Sequence, residues 1–265
     1  MFAWLSNLWH SGWGMAAAAM LAVLLLGALA PHDPMHAVSQ PEQSPSLLFP
    51  FGTDMLGRDM LSRIMVGIQR TALSAIAATL LALAIGISLG AVALAFGGFV
   101  DIGMLASLNA WLAIPPLILA LALITITGSG FLQIAVATGL AFCAPVAFVV
   151  RAGALEVRSR LFVMAGRASG ASTVRLWWSH ILPNLYPLIA SYGIVIFSYS
   201  ILGNAALQFL GLGGEPGAPD LGAMMSEGRF YMRAAPWSVI APGVALTLII
   251  LIANAIARRV GRGAH

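Results

Sequence analysis

A chain of 265 residues, of which 60% are hydrophobic and 8% charged, with a mean hydropathy of +0.94, carries more apolar surface than a soluble fold of this size can bury. It belongs in a bilayer. Its thirteen basic residues are all arginine, set against nine acids for a net charge of +4; they cluster in a few loops, which speaks against a nucleic-acid-binding face. The single cysteine, Cys143, lies in an apolar run and allows neither an internal disulfide nor a cysteine cluster.

Six apolar windows approach or exceed the roughly 20 residues a helix needs to cross a ~30 Å hydrocarbon core. They are 14–30, 71–96, 102–126, 131–150, 185–207 and 236–257, and none contains a charged side chain. The first ends in Ala28-Leu29-Ala30, the form of a leader-cleavage site, but no Lys or Arg precedes Trp13, so a retained anchor fits better. Next, His32-Asp33-Pro34-Met35-His36 offers two imidazoles, a carboxylate and a thioether. That set would suit nickel or copper, but the interrupting proline and the lack of further ligands favour a simple post-helix loop. Asp54/Arg58 and Asp59/Arg63 then form acid-first pairs at i,i+4, the favourable order on a helix, worth ~0.3–0.5 kcal/mol each when exposed. They predict a solvated helix entry or, in a functional reading, part of an outer wall that meets a partner.

In the second window Gly86 and Gly90 have the spacing for close helix contact, a weak signal in a chain with 28 glycines. Pro115-Pro116 predict a kink within the third window, and Pro145 and Pro242 bends in the fourth and sixth, because each proline removes a backbone donor. Asn109, Gln133, Asn204 and Asn254 lie within the windows, where they serve as hydrogen-bonding glue between helices or line a path.

Cytoplasmic loops accumulate positive charge. With the N-terminus inside, six spans place Arg151, Arg158, Arg160, Arg167, Arg175, Arg258, Arg259 and Arg262 in the cytoplasm with Asp101 and Glu156, a net of +6. The opposite side holds Arg58, Arg63, Arg70, Arg229 and Arg233 with Asp33, Glu42, Asp54, Asp59, Glu215, Asp220 and Glu227, a net of −2.

The cytoplasmic segment 151–184 is long for a connection between packed helices, where two to eight residues are usual. Leu155, Val157, Leu161, Phe162, Met164, Ala165, Ala168 and Ala171 form a rough helical stripe that breaks near Gly170. Ser172 is placed to N-cap a second helix over 173–181, with Pro183 opening the next span. Two readings stand side by side: an interfacial helix with arginines on headgroups and Trp177 and Trp178 at the membrane boundary, or a docking helix whose small residues let a partner approach the backbone.

Met164-Ala165-Gly166, then Gly170, then His180-Ile181-Leu182-Pro183 resembles the EAA loop of ABC importer permeases in its spacing. Arg167-Ala168-Ser169-Gly170-Ala171-Ser172 and His180-Ile181-Leu182-Pro183-Asn184 resemble the peptide and nickel branch. Two departures stand out: Met164 replaces the motif's glutamate and Gly166 its second alanine. The lost carboxylate bears on a specific ion pair with the ATPase and leaves backbone docking untouched. Two more stretches resemble the same branch: 51–63, which contains Asp54, Gly57, Arg58, Asp59, Ser62 and Arg63, is similar to the segment before the second span of its second-type permease subunit, and 209–213 with 221–229 to its outer loop before the last span.

The resemblance implies an all-α membrane protein with six transmembrane helices in the type I ABC importer permease fold. Residues 1–70 form an anchor helix and external segment, and 71–265 a five-helix core with a coupling loop at about 151–184. It also implies a bacterial inner-membrane subunit with both termini cytoplasmic, paired with a second homologous permease, two ABC ATPases and an extracytoplasmic substrate-binding protein. ATP and Mg would sit in those partners, with no cofactor or catalytic site in this chain. Neither H-E-x-x-H, G-x-S-x-G nor G-x-x-x-x-G-K-[ST] occurs, so the energy for transport must be supplied from outside. Uncharged walls favour short peptides as cargo, with nickel or a metal chelate as the alternative. A channel or scaffold without ATP coupling is the reading from another class.

Overall fold

The computed structural model describes residues 12–213 and 215–262. Among these residues the fold is helical, with one isolated antiparallel bridge, Thr53 to Asp59. The helices are α1 (Gly12–Leu26), α2 (Met60–Phe96), α3 (Gly98–Leu112), α4 (Pro116–Thr127), α5 (Phe131–Arg158), α6 (Leu161–Ala168), α7 (Thr173–Leu176), α8 (Leu182–Phe209), α9 (Leu221–Gly228) and α10 (Trp237–Arg262).

Among the described residues four helices are long and apolar enough to span alone: α2, α5, the run Thr173–Phe209 and α10; the bent pair α3 and α4, taken as one span, makes five. Helix α1 continues into a 3-10 turn, Gly27–Leu29, and packs against α2 and α10; this described stretch of the first predicted window is shorter than a span, and residues 1–11 lie outside the described residues.

The expected kink in the third window is instead a corner. Helices α3 and α4 meet at 88°. Pro115 is extended (φ −53°, ψ 131°) and Pro116 begins α4, because two successive prolines remove two donors and push the residue before each out of helical geometry.

Helix α2 starts earlier than its window. Asp59 caps it, its carboxylate accepting from the Leu61 and Ser62 amides. At 1.5 Å per residue its 37 residues reach roughly 55 Å, so it overshoots the hydrocarbon core and carries Arg63 and Arg70 within the helix. A boundary at residue 70 therefore falls inside one continuous element. Helix α5 likewise runs on to Arg158, so Leu155 and Val157 belong to the span and not to a loop helix.

Helices α2 and α5 form the most extensive pairing, and the Gly86/Gly90 spacing makes it possible. A Cβ on Gly86 would stand 2.5 Å from Val146 Cβ and Cγ1, and one on Gly90 2.7 Å from Val150 Cγ1. Only hydrogen at these positions lets the backbones approach so closely. Asn204 of α8 ties the same core together. In the amide orientation that satisfies its neighbours, its nitrogen donates to Thr138 Oγ1 of α5 at 2.7 Å and its oxygen accepts from Ser74 Oγ of α2 at 2.9 Å. Of the four window amides, Asn204 is a buried three-helix link; Asn254 donates to Ile250 O of its own helix, Gln133 is half-buried and Asn109 is exposed.

Ion pairs keep to the two ends the arginine count defines. Arg151 of α5 meets Asp101 of α3, Nε to Oδ1 at 2.6 Å, and Arg160 meets Glu156 at 3.0 Å. All the remaining pairs among the described residues join groups assigned to the opposite end.

Candidate functional site

Segment 159–181 folds back on the arginine-rich end as α6, a tight turn, α7 and a π-turn over Trp177–Ile181. Gly170, at φ +82°, ends α6 in a Schellman turn: its N–H donates to Arg167 O at 3.0 Å, and the Ala171 N–H to Gly166 O at 3.1 Å. Ser172 caps α7, its Oγ accepting from the Arg175 amide at 3.3 Å. Pro183 cannot donate back to the helix, and the turn before it widens, with the Leu182 N–H reaching Trp177 O.

The predicted stripe is only partly the buried one. Val163 is the one buried residue of α6; Leu161, Phe162, Met164, Ala165 and Ala168 are exposed. The anchor comes from Val163, Leu176, Trp177 and Ile181, which merge with Val146, Val150, Ala154 and Val157 of α5 and Leu185 and Ile196 of α8 into one apolar cluster. The two tryptophans do not share a boundary position: Trp177 is 7% exposed and turned inward, Trp178 64% exposed. Their adjacency hides this difference in the sequence, because only the tertiary contact chooses which indole faces in.

Small residues of this segment do two different things. Gly166 is packed inside the chain, where a Cβ would stand 3.0 Å from Leu176 Cδ2 and 3.4 Å from His180 Nε2. At Gly170 a Cβ would meet nothing within 4 Å, and Ala165, Arg167 and Met164 are exposed beside it, with Ala171 and His180 half-buried. Pro183 is exposed and Leu182 half-buried at the foot of α8.

The opposite end differs from the expected solvated helix. Asp54, Arg58 and Arg63 are 6%, 4% and 1% exposed, and only the first pair forms as drawn: Arg58 Nε to Asp54 Oδ2, 2.6 Å. Asp54 lies in a turn ahead of the helix, and its Oδ1 accepts the Leu56 and Arg58 amides at 2.9 Å. Arg63 points away from Asp59, toward Asp54 Oδ2 (3.4 Å) and Glu227 Oε2 (3.1 Å). Arg58 also reaches Glu227, at 3.3 Å, and both guanidinium groups donate to Gly217 O. The result is a charge-balanced knot of two arginines and two acids that clips segment 52–63 to α9, through Glu227, and to the loop before it, through Gly217.

Asp59 spends its carboxylate on the helix cap, on Ser62 Oγ (2.6 Å) and on His32 Nδ1 (3.1 Å). Gly57, at φ +75°, sits so near Ser39 that a Cβ would be 2.1 Å from its carbonyl oxygen. Asp54, Arg58, Asp59, Ser62 and Arg63 are thus buried within the chain, where they hold segment 52–63 in place. Glu227 was unmarked in the sequence as a site residue: its partners lie more than 160 positions away, a separation no local pattern reports.

Around the knot, Asp220 is buried beside Arg70, Nε to Oδ1 at 3.4 Å. Burial pushes its carboxyl above the usual value, and Arg70 partly offsets this. The two imidazoles of 32–36 go to different carboxylates, His32 to Asp59 and His36 to Asp33. The Met35 amide, then His36, holds the Asp33 carboxyl below its ordinary range.

Between α4, α5 and α8 lies a half-open, almost wholly apolar cavity of about 440 Å³ walled by Pro116, Phe142, Pro145, Ile196 and Leu207, with Thr138, Tyr192 and Tyr199 also in its lining. Its size and lining suit a small organic molecule or a side chain.

A family model described as "Binding-protein-dependent transport system inner membrane component" matches residues 82–265. The chain is 34% identical over 214 residues to the dipeptide transport system permease protein DppC of Alkalihalophilus pseudofirmus, covering 81% of this chain and 70% of that one. It is 33% identical to DppC of Haemophilus influenzae, covering 89% and 83%, and 31% identical to the glutathione transport system permease protein GsiD of Escherichia coli, covering 93% and 86%. Among solved structures, a chain of the inward-facing MetNI methionine ABC transporter superposes with a TM-score of 0.65 at 18% identity, covering 78% of this chain and 98% of that one, which shows a shared fold. The helical architecture, the type I permease likeness and the match over most of its length together show that the chain belongs to the binding-protein-dependent transport system inner membrane components, as an ABC importer permease.

Proposed function

We propose that this permease forms half of the translocation pathway for short peptides, delivered by an extracytoplasmic binding protein and driven by two ATPases that also serve a second homologous permease. Six spans, with both termini cytoplasmic, put the arginine-rich end inside. Residues 1–70 anchor the chain and shape its outer face, 71–265 form the transport core, and ATP and Mg are bound and used in the partner subunits. The peptide assignment is supported by the names of the DppC relatives and by a cavity of aromatic and apolar walls with room for a side chain.

The observation that carries the coupling role is the apolar cluster running unbroken from Val163, Leu176, Trp177 and Ile181 into α5 and α8. A close-packed interior transmits displacement instead of absorbing it, so a push on α6 from an ATPase moves both spans. The exposed backbone at Ala165 and Gly170 supplies the contact. Replacing Gly170 with Leu is expected to abolish substrate-stimulated ATP turnover with membrane insertion intact, whereas Met164→Glu is tolerated. Because φ at 170 is positive, Gly170→Asn, which accepts that geometry far better, serves as the control for backbone strain. Normal coupled transport in Gly170→Leu, or stable assembly of the chain without any ATPase, would overturn the reading. Tight uptake of a nickel or other metal complex by the partner binding protein, without affinity for di- to oligopeptides, would replace the cargo and leave the architecture standing.

A further inference from the structure

From Val157 to Gly214 the sequence contains no aspartate or glutamate, yet Arg158, Arg160, Arg167 and Arg175 fall within that stretch. Two of these arginines are accounted for inside the chain: Arg158 donates to Leu94 O at 3.3 Å and Arg160 pairs with Glu156. Arg167 and Arg175 are exposed, and among the described residues neither guanidinium meets a carboxylate.

Arg175 borders a polar concavity of about 300 Å³ between the end of α6 and the π-turn, together with Ser169, Gly170, Ser179 and His180. The floor is held in place. The Schellman turn fixes Gly170 and Ala171, the His180 ring sits edge-on to Phe162 with centroids 6.2 Å apart, and Asn184 donates to His180 O at 2.7 Å. The Ser169 hydroxyl donates to Ala165 O at 2.9 Å, which leaves the Arg175 guanidinium, the His180 imidazole and the Ser179 hydroxyl as donors; a pocket so bordered, with no acid among its lining residues, is complementary to a carboxylate.

We propose that this pocket receives an acidic side chain of the ATPase, with Arg175 as its counter-charge, so that on this permease the positive member of the docking ion pair lies on the loop. The inference rests on the coupling role argued above and adds to it the sign of the contact. A concave site beside a glycine with open space above it fits a side chain entering end-on, whereas arginines that serve headgroups need only a flat flank.

The test uses the complete transporter in nanodiscs. Arg175→Glu is expected to weaken ATPase association at least about tenfold, the scale for a charge pair in a protein interface. Arg175→Lys should retain part of it, and raising the salt should weaken the wild type more than Arg175→Gln. Arg233→Glu, the same charge change on an exposed residue at the other end, controls for net charge and should leave the affinity unchanged.

An affinity unaffected by Arg175→Glu overturns the inference while leaving the coupling role intact. The same result with a wild-type-only dependence of thermal stability on phosphatidylglycerol would put the guanidinium on lipid and also overturn it. Failure of the wild type to bind any ATPase would remove both the inference and the reading beneath it. If Arg175→Glu fails to insert, the Gln and Lys variants decide by the same affinity measurement.

Discussion

Asp54→Asn separates a buried knot from a solvated helix entry by magnitude. The substitution keeps Oδ1 for the Leu56 and Arg58 amides but puts an NH2 donor where Oδ2 now faces Arg58 Nε at 2.6 Å and Arg63 Nε at 3.4 Å. Two nearly inaccessible guanidinium groups would then share Glu227 as their one carboxylate, beside the neutral Gly217 carbonyl. At an effective dielectric near 20, a unit charge at 4 Å is worth about 4 kcal/mol, and one-sided loss of a buried pair costs about 3–5 kcal/mol. An exposed i,i+4 pair would cost about 0.3–0.5 kcal/mol. For a chain of this size 1 kcal/mol shifts Tm by about 2–4 °C, so the expected fall is on the order of 10 °C in detergent. Because heating can be irreversible, unfolding rates at a fixed temperature should be measured alongside. Adding Arg63→Met restores charge balance and should recover much of the loss, giving a coupling energy above about 1 kcal/mol. A loss below about 1 kcal/mol that shrinks further with salt would refute the buried knot.

Gly86→Ala is expected to cost about 1–3 kcal/mol by forcing α2 and α5 apart, while Gly103→Ala in α3, where a Cβ meets nothing within 4 Å, should stabilise by roughly 0.5–1 kcal/mol; thermal shifts of the two variants check the contrast. Trp177→Ala should cost about 3–5 kcal/mol and Trp178→Ala far less, with iodide quenching reporting loss of the exposed indole only in the second variant. For Asp220 the folded carboxyl is raised above its ordinary value of 3.8, so the fold favours the protonated form. The stability this gives is fully present below the unfolded value and is lost as pH rises through the folded one. Asp220→Asn should therefore cost less than about 1 kcal/mol at neutral pH, and the wild type should gain on the variant as pH falls toward 4, followed by unfolding rates across that range.

Four spans, those of windows 71–96, 131–150, 185–207 and 236–257, were legible in the sequence because hydropathy is a local sum, whereas the third window, equally apolar, folds into a bent pair of helices. The separation of acids and arginines into two ends was equally legible, since the pairs Arg151–Asp101 and Arg58–Asp54 join residues that topology already placed together. Local chemistry also announced the Ser172 cap and the break at Gly170, where a single residue's geometry decides the backbone, whereas Pro183 opens no separate helix: α7, the π-turn and α8 run on as one span.

Choices between equivalent neighbours were decided only in three dimensions. Trp177 went inward and Trp178 outward because α5 and α8 offered an apolar cluster to one azimuth of the π-turn. Arg63 turned from Asp59, four residues away, to Glu227 because Asp59 was already engaged by a helix cap, a serine and His32. Two prolines that promised a kink made a right angle. The sequence sets what each residue can do with its nearest neighbours along the chain. Which of those options is realised depends on burial and on partners more than a hundred positions away, and these exist only after the helices have packed.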